Sequence, residues 1–546
     1  MHPWHESVIL LAMSLMFGSA CKDTTVVEGD VCAASINVQP ASSDVMDNAT
    51  GIFLTIRQHS QPIFDGYVDT PLDPTSGGVV PVTAGLGSIE RPAIPPSEEI
   101  LITLEVLNID NQVISNGRTL PFDCLIGDAP DPSLFLARSD GFTVVTDTVA
   151  SSILPTATPL ADLRVLLIGG QDNEDAAADP VVRIYDHTRG TVCRDNSCVS
   201  GDAVGARVGH AATVMDDGQV LIHGGRVPQA GPISSAVVHS DAFRFDPSNG
   251  VIHQVLLNGD VPPPRHAHTA TLLAGDNVPE ASRGKILIAA GRGAGGTWLD
   301  DVHLLDPFTG ECRKIEANLH YARSNATATM LSSGDVFIAG GRNGSGFLAS
   351  VELFYAADES SWMPPDSQCG AEQDAHLCAA RSGHTATLLD DGNVLLWGKS
   401  TFNSGGGDEI VAELFVIEDL RSIPIAAQNR QQHTASLLDH PGSGCPGGPC
   451  PVLILGGNDP ETGDAVPAEI FWPTQGPTYD GILTQLPPAA GGSAREEHAV
   501  APLGNGMVLV FGGRDPQTTD VVPEVETYNP CHSDRHTCPH TRPAQP

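Results

Sequence analysis

Short apolar runs, each bounded by a turn signal, recur along most of the chain. Between residues 32 and 136 apolar and polar positions alternate, as at residues 51–56 and 100–106, and Asp110-Asn111 supplies a hairpin turn between two such runs. Alternation with a period of two predicts half-buried β-strands. We therefore predict a small β-sandwich over residues 32–136, ended by a proline-rich break at residues 130–132.

A longer unit repeats further along the chain. It consists of Arg-x-x-His, a short apolar strand, a turn, a second apolar strand ending in Gly-Gly, and a third strand ending near Asp-Pro. The arginines that open these units are Arg207, Arg265, Arg323, Arg381, Arg430 and Arg495. Their spacings of 58, 58, 58, 49 and 65 residues leave room for four strands and their loops. The repeat predicts an all-β fold.

The glycine pair marks the end of the second strand in seven places, which predicts seven units. The seven landmarks are Gly169-Gly170, Gly224-Gly225, Ala290-Gly291, Gly340-Gly341, Gly398-Lys399, Gly456-Gly457 and Gly512-Gly513. Glycine allows a tight turn there because it has no Cβ. The first unit lacks Arg-x-x-His, so residues 137–162 are expected to be a linker or to supply the first strand, and the innermost strand of that unit comes from residues 142–154 or from elsewhere.

The Arg-x-x-His, Gly-Gly and Asp-Pro pattern resembles the Kelch superfamily. The resemblance implies a seven-bladed β-propeller over residues 163–530, in which the repeated residues build the fold. In that fold Asp217-Gly218 and Asp391-Gly392 close hairpins, and Asp246-Pro247 and Asp306-Pro307 start the turn from the third to the fourth strand.

Histidines recur at the fourth position of the opening segment, except that Ala326 replaces histidine after Arg323. They are His210, His268, His384, His433 and His498. Imidazole is a common metal ligand, but equivalent positions of a repeat are spread around a ring and do not converge on one ion. We expect these side chains to pack or to form hydrogen bonds, and we predict no metal site. His266 is a second histidine beside His268.

Composition agrees with many short strands and limits the partners. The 57 glycines and 43 prolines are spread along the chain, as tight turns require. A formal net charge of −38 would repel nucleic acid and anionic lipid surfaces. Neither is expected as a partner.

The first 20 residues read as a signal peptide, with an apolar stretch at residues 8–17 that is too short to span a bilayer. Gly18-Ser19-Ala20-Cys21 resembles the lipobox of bacterial lipoproteins, although Gly18 stands where leucine is usual. The resemblance implies lipidation of Cys21, a tether over residues 21–31, and membrane contact through the lipid alone. An outer-membrane-anchored envelope lipoprotein is expected; an ordinary secretory signal, giving a periplasmic or secreted protein, or a misplaced start codon, remains open.

The remaining cysteines fall mostly into close pairs, which predicts local disulfides in an exported protein. The pairs are Cys32 with Cys124, Cys193 with Cys198, Cys369 with Cys378, Cys445 with Cys450, and Cys531 with Cys538. Cys312 is left over. In the C-terminal tail, residues 531–546, zinc binding by the Cys/His cluster is the alternative to a disulfide. The loop acids Asp172, Glu174 and Asp175 match no complete calcium motif and are expected to be solvated.

A binding or scaffold protein, without a cofactor and not an enzyme, is the predicted function. Long inserts at residues 226–240 and 366–380 would recognise a protein or a glycan. The layout resembles the exported Kelch lipoproteins of myxobacteria.

The alternative is a copper-radical oxidase, because the Kelch architecture also resembles the central domain of galactose oxidase. That chemistry needs paired tyrosines and histidines, which the six tyrosines do not suggest. A structural envelope component is a third possibility. The tyrosines are Tyr67, Tyr185, Tyr321, Tyr355, Tyr479 and Tyr528.

Overall fold

The structure is a computed structural model of the 546-residue chain. It describes residues 35–40, 48–58, 61–67, 88–90, 97–120, 122–124, 133–146, 152–171, 182–193, 199–228, 236–362, 376–398, 410–438, 445, 449–474, 481–486 and 494–531. Within these ranges the chain is nearly all β-strand, and the one helical segment is a 3-10 turn at Ala294–Gly296. No helix in the described ranges is long and apolar enough to cross a membrane.

The strands before residue 140 form one connected sheet of eight. They are β1 (Ser35–Pro40), β2 (Gly51–Gln58), β3 (Gln61–Tyr67), β4 (Ser88–Glu90), β5 (Ser97–Leu107), β6 (Val113–Arg118), β7 (Phe122–Cys124) and β8 (Ser133–Arg138). Their order is β3-β2-β5-β6-β8-β1-β4, with β7 beside β5. Ile56 and Leu104, from β2 and β5, share a core with Val38 and Leu136, from β1 and β8, so the two ends of the sheet bury one another's apolar side chains.

The predicted hairpin is the one between β5 and β6. Asn111 has a φ of 64°, which asparagine tolerates better than most residues, and the Asn108 side chain accepts hydrogen bonds from the backbone N–H groups of Asp110 and Gln112 at 3.0 and 2.9 Å.

The rest of the chain forms seven successive sheets, which we number 1 to 7. A strand that precedes them, β9 (Gly141–Thr146), belongs to the last. Sheet 1 consists of β10 (Thr156–Pro159), β11 (Arg164–Ile168), β12 (Arg183–Asp186) and β13 (Thr191–Val192). Sheet 2 consists of β14 (Ser200–Gly201), β15 (Ala211–Val214), β16 (Val220–His223), β17 (Ala242–Asp246) and β18 (Val251–Val255). Sheet 3 consists of β19 (Asn258–Gly259), β21 (Thr269–Leu272), β22 (Ile286–Ala289), β24 (Val302–Leu305) and β25 (Glu311–Lys314). Two short strands, β20 (Arg265–His266) and β23 (Arg292–Gly293), pair beside sheet 3.

Sheets 4 to 7 follow the same plan. Sheet 4 consists of β26 (Thr327–Met330), β27 (Val336–Ala339), β28 (Arg342–Asn343), β29 (Gly346–Tyr355), β30 (Ser360–Trp362) and β31 (His376–Arg381). Sheet 5 consists of β32 (Thr385–Leu388), β33 (Val394–Trp397), β34 (Ala412–Val416) and β35 (Arg421–Ile425), and sheet 6 of β36 (Thr434–Leu437), β37 (Val452–Leu455), β38 (Glu469–Pro473) and β39 (Gly481–Gln485). Sheet 7 consists of β40 (Ala499–Pro502), β41 (Val508–Phe511), β42 (Val525–Asn529) and β9.

Apolar cores lie between successive sheets. The second strand of each sheet is buried on both faces, which is why it reads as a continuous apolar run. One core joins each sheet to the next, and a further one joins sheet 7 to sheet 1 through Leu509, Phe511 and Val165. The first strands contact one another in the order β10, β15, β21, β26, β32, β36 and β40, and β40 contacts β10.

The two ends of the repeat region meet in sheet 7. Its outer strand is β9, which precedes sheet 1 in sequence and pairs antiparallel with β42. The innermost strand of sheet 1 is β10, just beyond residues 142–154. The buried side-chain amide of Asn529 donates to the backbone oxygens of Asn116 and Ala137 at 2.9 and 3.0 Å, which ties sheet 7 to the N-terminal sheet. Residues 137–162 therefore supply strands to both the last and the first sheet.

Turn residues close the strands as the sequence indicates. Gly218 and Gly392, with φ of 79° and 83°, turn between first and second strands. At the other turn, Gly250 and Gly310 donate N–H bonds of 2.9 Å to the carbonyl oxygens of Asp246 and Asp306.

Candidate functional site

The arginine that opens each unit is a buried anchor within its own sheet. All six have at most 1% of their surface exposed. Each donates to the carbonyl oxygen of the first doublet residue, at distances between 2.8 and 3.2 Å. Each also forms an ion pair with a carboxylate near the start of the third strand. The partners, in chain order, are Asp241, Asp301, Glu352, Glu413, Glu469 and Glu526. Sheet 1 has Ser152 in the place of the arginine.

The sequence interpretation missed these carboxylates. A signal existed, because three of them precede an apolar residue and an aromatic residue, as in Glu352-Leu353-Phe354, and Glu526 precedes Thr527-Tyr528. In sheets 2 and 3 the acid is an aspartate that lies two positions earlier in the unit. Asp301 of sheet 3 therefore occupies the position equivalent to Ser350 of sheet 4. That shift conceals the repeat.

The repeated histidines form hydrogen bonds between neighbouring sheets. Nε2 of His210, His384, His433 and His498 lies 2.8 to 3.1 Å from a threonine hydroxyl at the start of the preceding sheet's first strand. His268 bonds His223 instead, at 2.9 Å, because alanine occupies the threonine position there. Burial lowers the pKa of His210 and His498 to about 3. These imidazoles are neutral parts of the fold.

The glycine doublets permit close packing of successive sheets. Gly456 and Gly457 have φ of 64° and 84°, and the described members of the other landmarks are left-handed too. A Cβ on Gly456 would lie 2.3 Å from the carbonyl oxygen of Arg495 and 2.6 Å from Cε1 of His498. Lys399, the second residue of the fifth landmark, lies outside the described ranges.

The third residue of the opening segment has a left-handed backbone conformation in all seven sheets. These residues are Leu154, Gly209, Ala267, Asn325, Gly383, Gln432 and Glu497, with φ between 50° and 64°. Backbone N–H groups of five of them donate to the same position of the preceding sheet at 2.8 to 3.1 Å. These backbone hydrogen bonds run from sheet to sheet near the glycine doublets that end the second strands. We call this side of the sheets the doublet face.

A cavity of about 380 Å³ opens on the doublet face, between sheets 1 to 4 and sheet 7. Its lining includes the apolar residues Leu154, Pro155 and Val208. It also includes the basic residues Arg226, Arg292 and Arg342, each directly after the doublet of its sheet. The sequence interpretation did not single out these arginines.

The three pocket arginines lack acidic partners in the part of the chain that the structure describes. Arg292 stacks on Trp298 at 4.9 Å and donates to the carbonyl oxygen of Gly296, and Arg342 stands over Phe347 at 5.9 Å. Burial lowers the pKa of Arg226. Three cationic groups without carboxylates, in a chain of net charge −38, form a site that favours an anion.

Sheet 7 provides the contrast. Arg514 occupies the position after its doublet, but its Nε lies 2.9 Å from Glu496 and 3.2 Å from Glu497. Its charge is neutralised within the protein, so the arginines at this position that lack an acidic partner among the described residues are those of sheets 2 to 4.

Comparison with known families agrees with this geometry. Residues 156–398, somewhat under half of the chain, match the family model described as the KLHDC2/KLHL20/DRC7 Kelch-repeats domain. This segment is a Kelch-repeat domain. The three pocket arginines fall inside the Kelch match, and the anchor geometry continues beyond it to Glu526. No curated protein matches the chain.

The cysteines around the Kelch repeats are described in part. Cys445 and Cys450 are joined by a disulfide. Cys193, Cys378 and Cys531 are also disulfide-bonded. Cys312 is a free, buried thiol, and burial raises its pKa to about 11. Outside the described residues, wholly or in their side chains, are Cys21, Cys32, Cys124, Cys198, Cys369 and Cys538.

Other sequence candidates are accounted for as follows. The loop acids at 172–175, most of the long inserts, and the tail histidines after Cys531 lie outside the described ranges. The described side chains contain no group of three His, Cys, Asp or Glu placed to hold a metal ion. Tyr185 bonds Nδ1 of His187 at 2.9 Å beneath Phe135, a buried contact between sheet 1 and the N-terminal sheet. Tyr479 is not described, nor is the side chain of Tyr67.

Proposed function

We propose that this chain is an envelope-anchored binding protein whose Kelch domain is a seven-bladed β-propeller preceded by a small β-sandwich. Seven sheets whose first strands contact one another in cyclic order support the propeller, and the core shared by both ends of the N-terminal sheet supports the sandwich. Kelch repeats generally mediate protein binding or scaffolding. In this proposal the domain presents a site and catalyses no reaction.

The site is the cavity on the doublet face, and its ligand is an acidic segment of a partner protein. The observation behind this choice is the set of arginines at 226, 292 and 342, which have no carboxylate partners among the described residues. A peptide suits the cavity better than a saccharide because the apolar side chains of Leu154, Pro155 and Val208 line it together with the arginines. A peptide can present acidic and apolar side chains together.

Fluorescence anisotropy with labelled probes tests the ligand class. The probes are a peptide alternating glutamate and leucine, a galacturonate oligomer, and a lysine-leucine peptide. We expect the glutamate peptide to bind best, and replacement of Arg226, Arg292 and Arg342 by glutamine to weaken it by at least a hundredfold, since hydrogen bonds to charged groups contribute about 1.5 to 3 kcal/mol each. Arg189→Gln, at a side chain 78% exposed, is the matched control.

Two outcomes would overturn the proposed ligand. Tighter binding of the galacturonate oligomer would make the ligand an acidic glycan. Equal binding of the glutamate and lysine peptides, or no effect of the triple substitution, would remove the arginines from the site.

Anchoring is tested separately, through the Gly18-Ser19-Ala20-Cys21 segment. Expressed in a bacterium with lipoprotein processing, the chain should appear in the membrane fraction, with a mature mass that begins at Cys21 and includes a lipid. Cys21→Ser should be recovered in the soluble fraction. If both forms are soluble and unlipidated, the signal is an ordinary secretory one.

A further inference from the structure

Resting on the anion site proposed above, we propose that His266 is an additional ligand contact, whose imidazole donates an N–H hydrogen bond to the anion held by the pocket arginines and which takes up a proton when the anion binds. This assigns a distinct role to a histidine that the repeat does not require. It also makes the affinity of the site depend on pH.

The position of His266 carries the argument. Its side chain lines the cavity and is only 7% exposed, yet neither nitrogen of its imidazole has a hydrogen-bond partner among the described residues. A buried polar atom without a partner costs free energy, and a ligand that accepts from it recovers that cost. His266 pairs through its backbone with Arg292, so the imidazole and that guanidinium lie at the same edge of the cavity.

The repeat gives no structural reason for a histidine here. In the described part of the chain, the repeated histidines at the fourth position use Nε2 for a bond to the preceding sheet, as His384 does with Thr327 at 3.0 Å. His266 occupies the second position instead. The other residues at that position are Ile153, Val208, Ser324, Ser382, Gln431 and Glu496. Since none of these is a histidine, fold construction does not explain His266.

The surrounding charges keep His266 neutral while the cavity holds no anion. Burial, and then the positive charges of Arg226 and Arg292, lower the pKa of His266 to about 4. The other titratable groups that face it are His268 on its own segment, the pocket-lining His210, and Arg342 across the cavity. No described carboxylate acts on it.

An anion between the arginines would add the missing negative potential and raise the pKa of His266. The empty site gains its proton only near pH 4, whereas the occupied site gains it at a higher pH. Between those two values binding takes up one proton, so affinity increases as the pH falls. Each unit by which the anion raises the pKa allows up to a tenfold gain in affinity.

The test uses a probe whose charge is constant over the relevant pH range. The probe is a hexapeptide alternating cysteic acid and leucine, titrated calorimetrically into the full mature chain at pH 7 and pH 5. We expect tighter binding at pH 5, and proton uptake revealed by the different heats in two buffers of unequal ionisation enthalpy. His266→Gln should bind the peptide with little dependence on pH, while the exposed His253→Gln control should behave as the unmodified chain.

The outcomes separate this inference from the proposed function. If the probe fails to bind at either pH, the anion site itself is wrong. If it binds without proton uptake, or if His266→Gln retains the full pH dependence, the role of His266 is overturned and the arginine site stands. The buffer comparison on the unmodified chain gives this answer even if the variant does not fold.

Discussion

Ala290 and Ala326 lie in the same core between sheets 3 and 4, where five other sheet pairs place a glycine against a histidine. In sheet 2 the equivalent residue is Gly224, and a Cβ added there would lie 2.8 Å from Cε1 of His268. Ala290 retains the left-handed backbone, with a φ of 61°. Its methyl group therefore occupies space that a histidine at position 326 would need. With no imidazole to bond, Thr269 donates to Ala289 O at 3.2 Å.

We predict that these two positions are energetically coupled. Ala326→His alone should destabilise the protein by about 1 to 3 kcal/mol, because the imidazole has no room beside the Ala290 methyl group. Ala290→Gly together with Ala326→His should recover most of that loss, since the imidazole then reaches the Thr269 hydroxyl. A double-mutant cycle from urea unfolding measures the coupling, expected between about 0.5 and 3 kcal/mol. Additive effects would show that the two sites are independent.

The buried ion pair between Arg381 and Glu413 gives a second prediction. Both side chains are fully buried, so Glu413→Gln leaves the guanidinium charge uncompensated and should cost about 3 to 5 kcal/mol. Replacing both residues by leucine should cost less than the single change, because no buried charge then remains. Asp419→Asn, in a partly exposed pair with Arg421, is the control and should cost less than about 1 kcal/mol. Similar losses for the two single variants would contradict the anchor role.

The neutral histidines predict loss of stability in mild acid. Burial lowers the pKa of His210, His223 and His498 to about 3, whereas an unfolded histidine titrates near 6.5. Below pH 6.5 the unfolded chain binds protons that the folded chain does not, so stability is complete above that pH and falls as the pH decreases. Each such histidine contributes about 1.4 kcal/mol per pH unit.

The measurement is the urea midpoint at pH 7, 6 and 5. We expect a progressive decrease, and a shallower one in His498→Gln, because glutamine cannot be protonated. A midpoint that stays constant from pH 7 to pH 5 would mean that these imidazoles bind protons as readily in the folded protein as in the unfolded chain.

The repeat was visible in the sequence because its markers are local. The doublets and the Asp-Pro turns satisfy a backbone requirement within a few residues, and Arg-x-x-His is a fixed four-residue pattern even though its contacts lie further along the chain. The opening segment of sheet 1 escaped recognition because Ser152 and Pro155 replace the arginine and the histidine, although Leu154 keeps the left-handed backbone with a φ of 59°. The pairing of β9 with β42 joins residues nearly 400 positions apart, and no local pattern predicts such a contact.

The pocket was not predictable in the same way. Arg226, Arg292 and Arg342 look like ordinary surface residues in the sequence, and Arg514 follows its doublet just as they do. Only the structure shows that Arg514 is neutralised by Glu496 and that the other three share one cavity. The number of unpaired charges depends on contacts made in the folded chain, which residue spacing does not contain.

Photo-cross-linking tests the central claim most directly. A peptide alternating glutamate and leucine, with one diazirine-bearing leucine analogue, is irradiated with the mature chain, and the modified residues are located by mass spectrometry. The account predicts modification of the apolar residues that line the cavity, around Leu154 and Val208, and its loss when Arg226, Arg292 and Arg342 are replaced by glutamine. Modification concentrated on the N-terminal sheet, or unchanged in the triple variant, would contradict it.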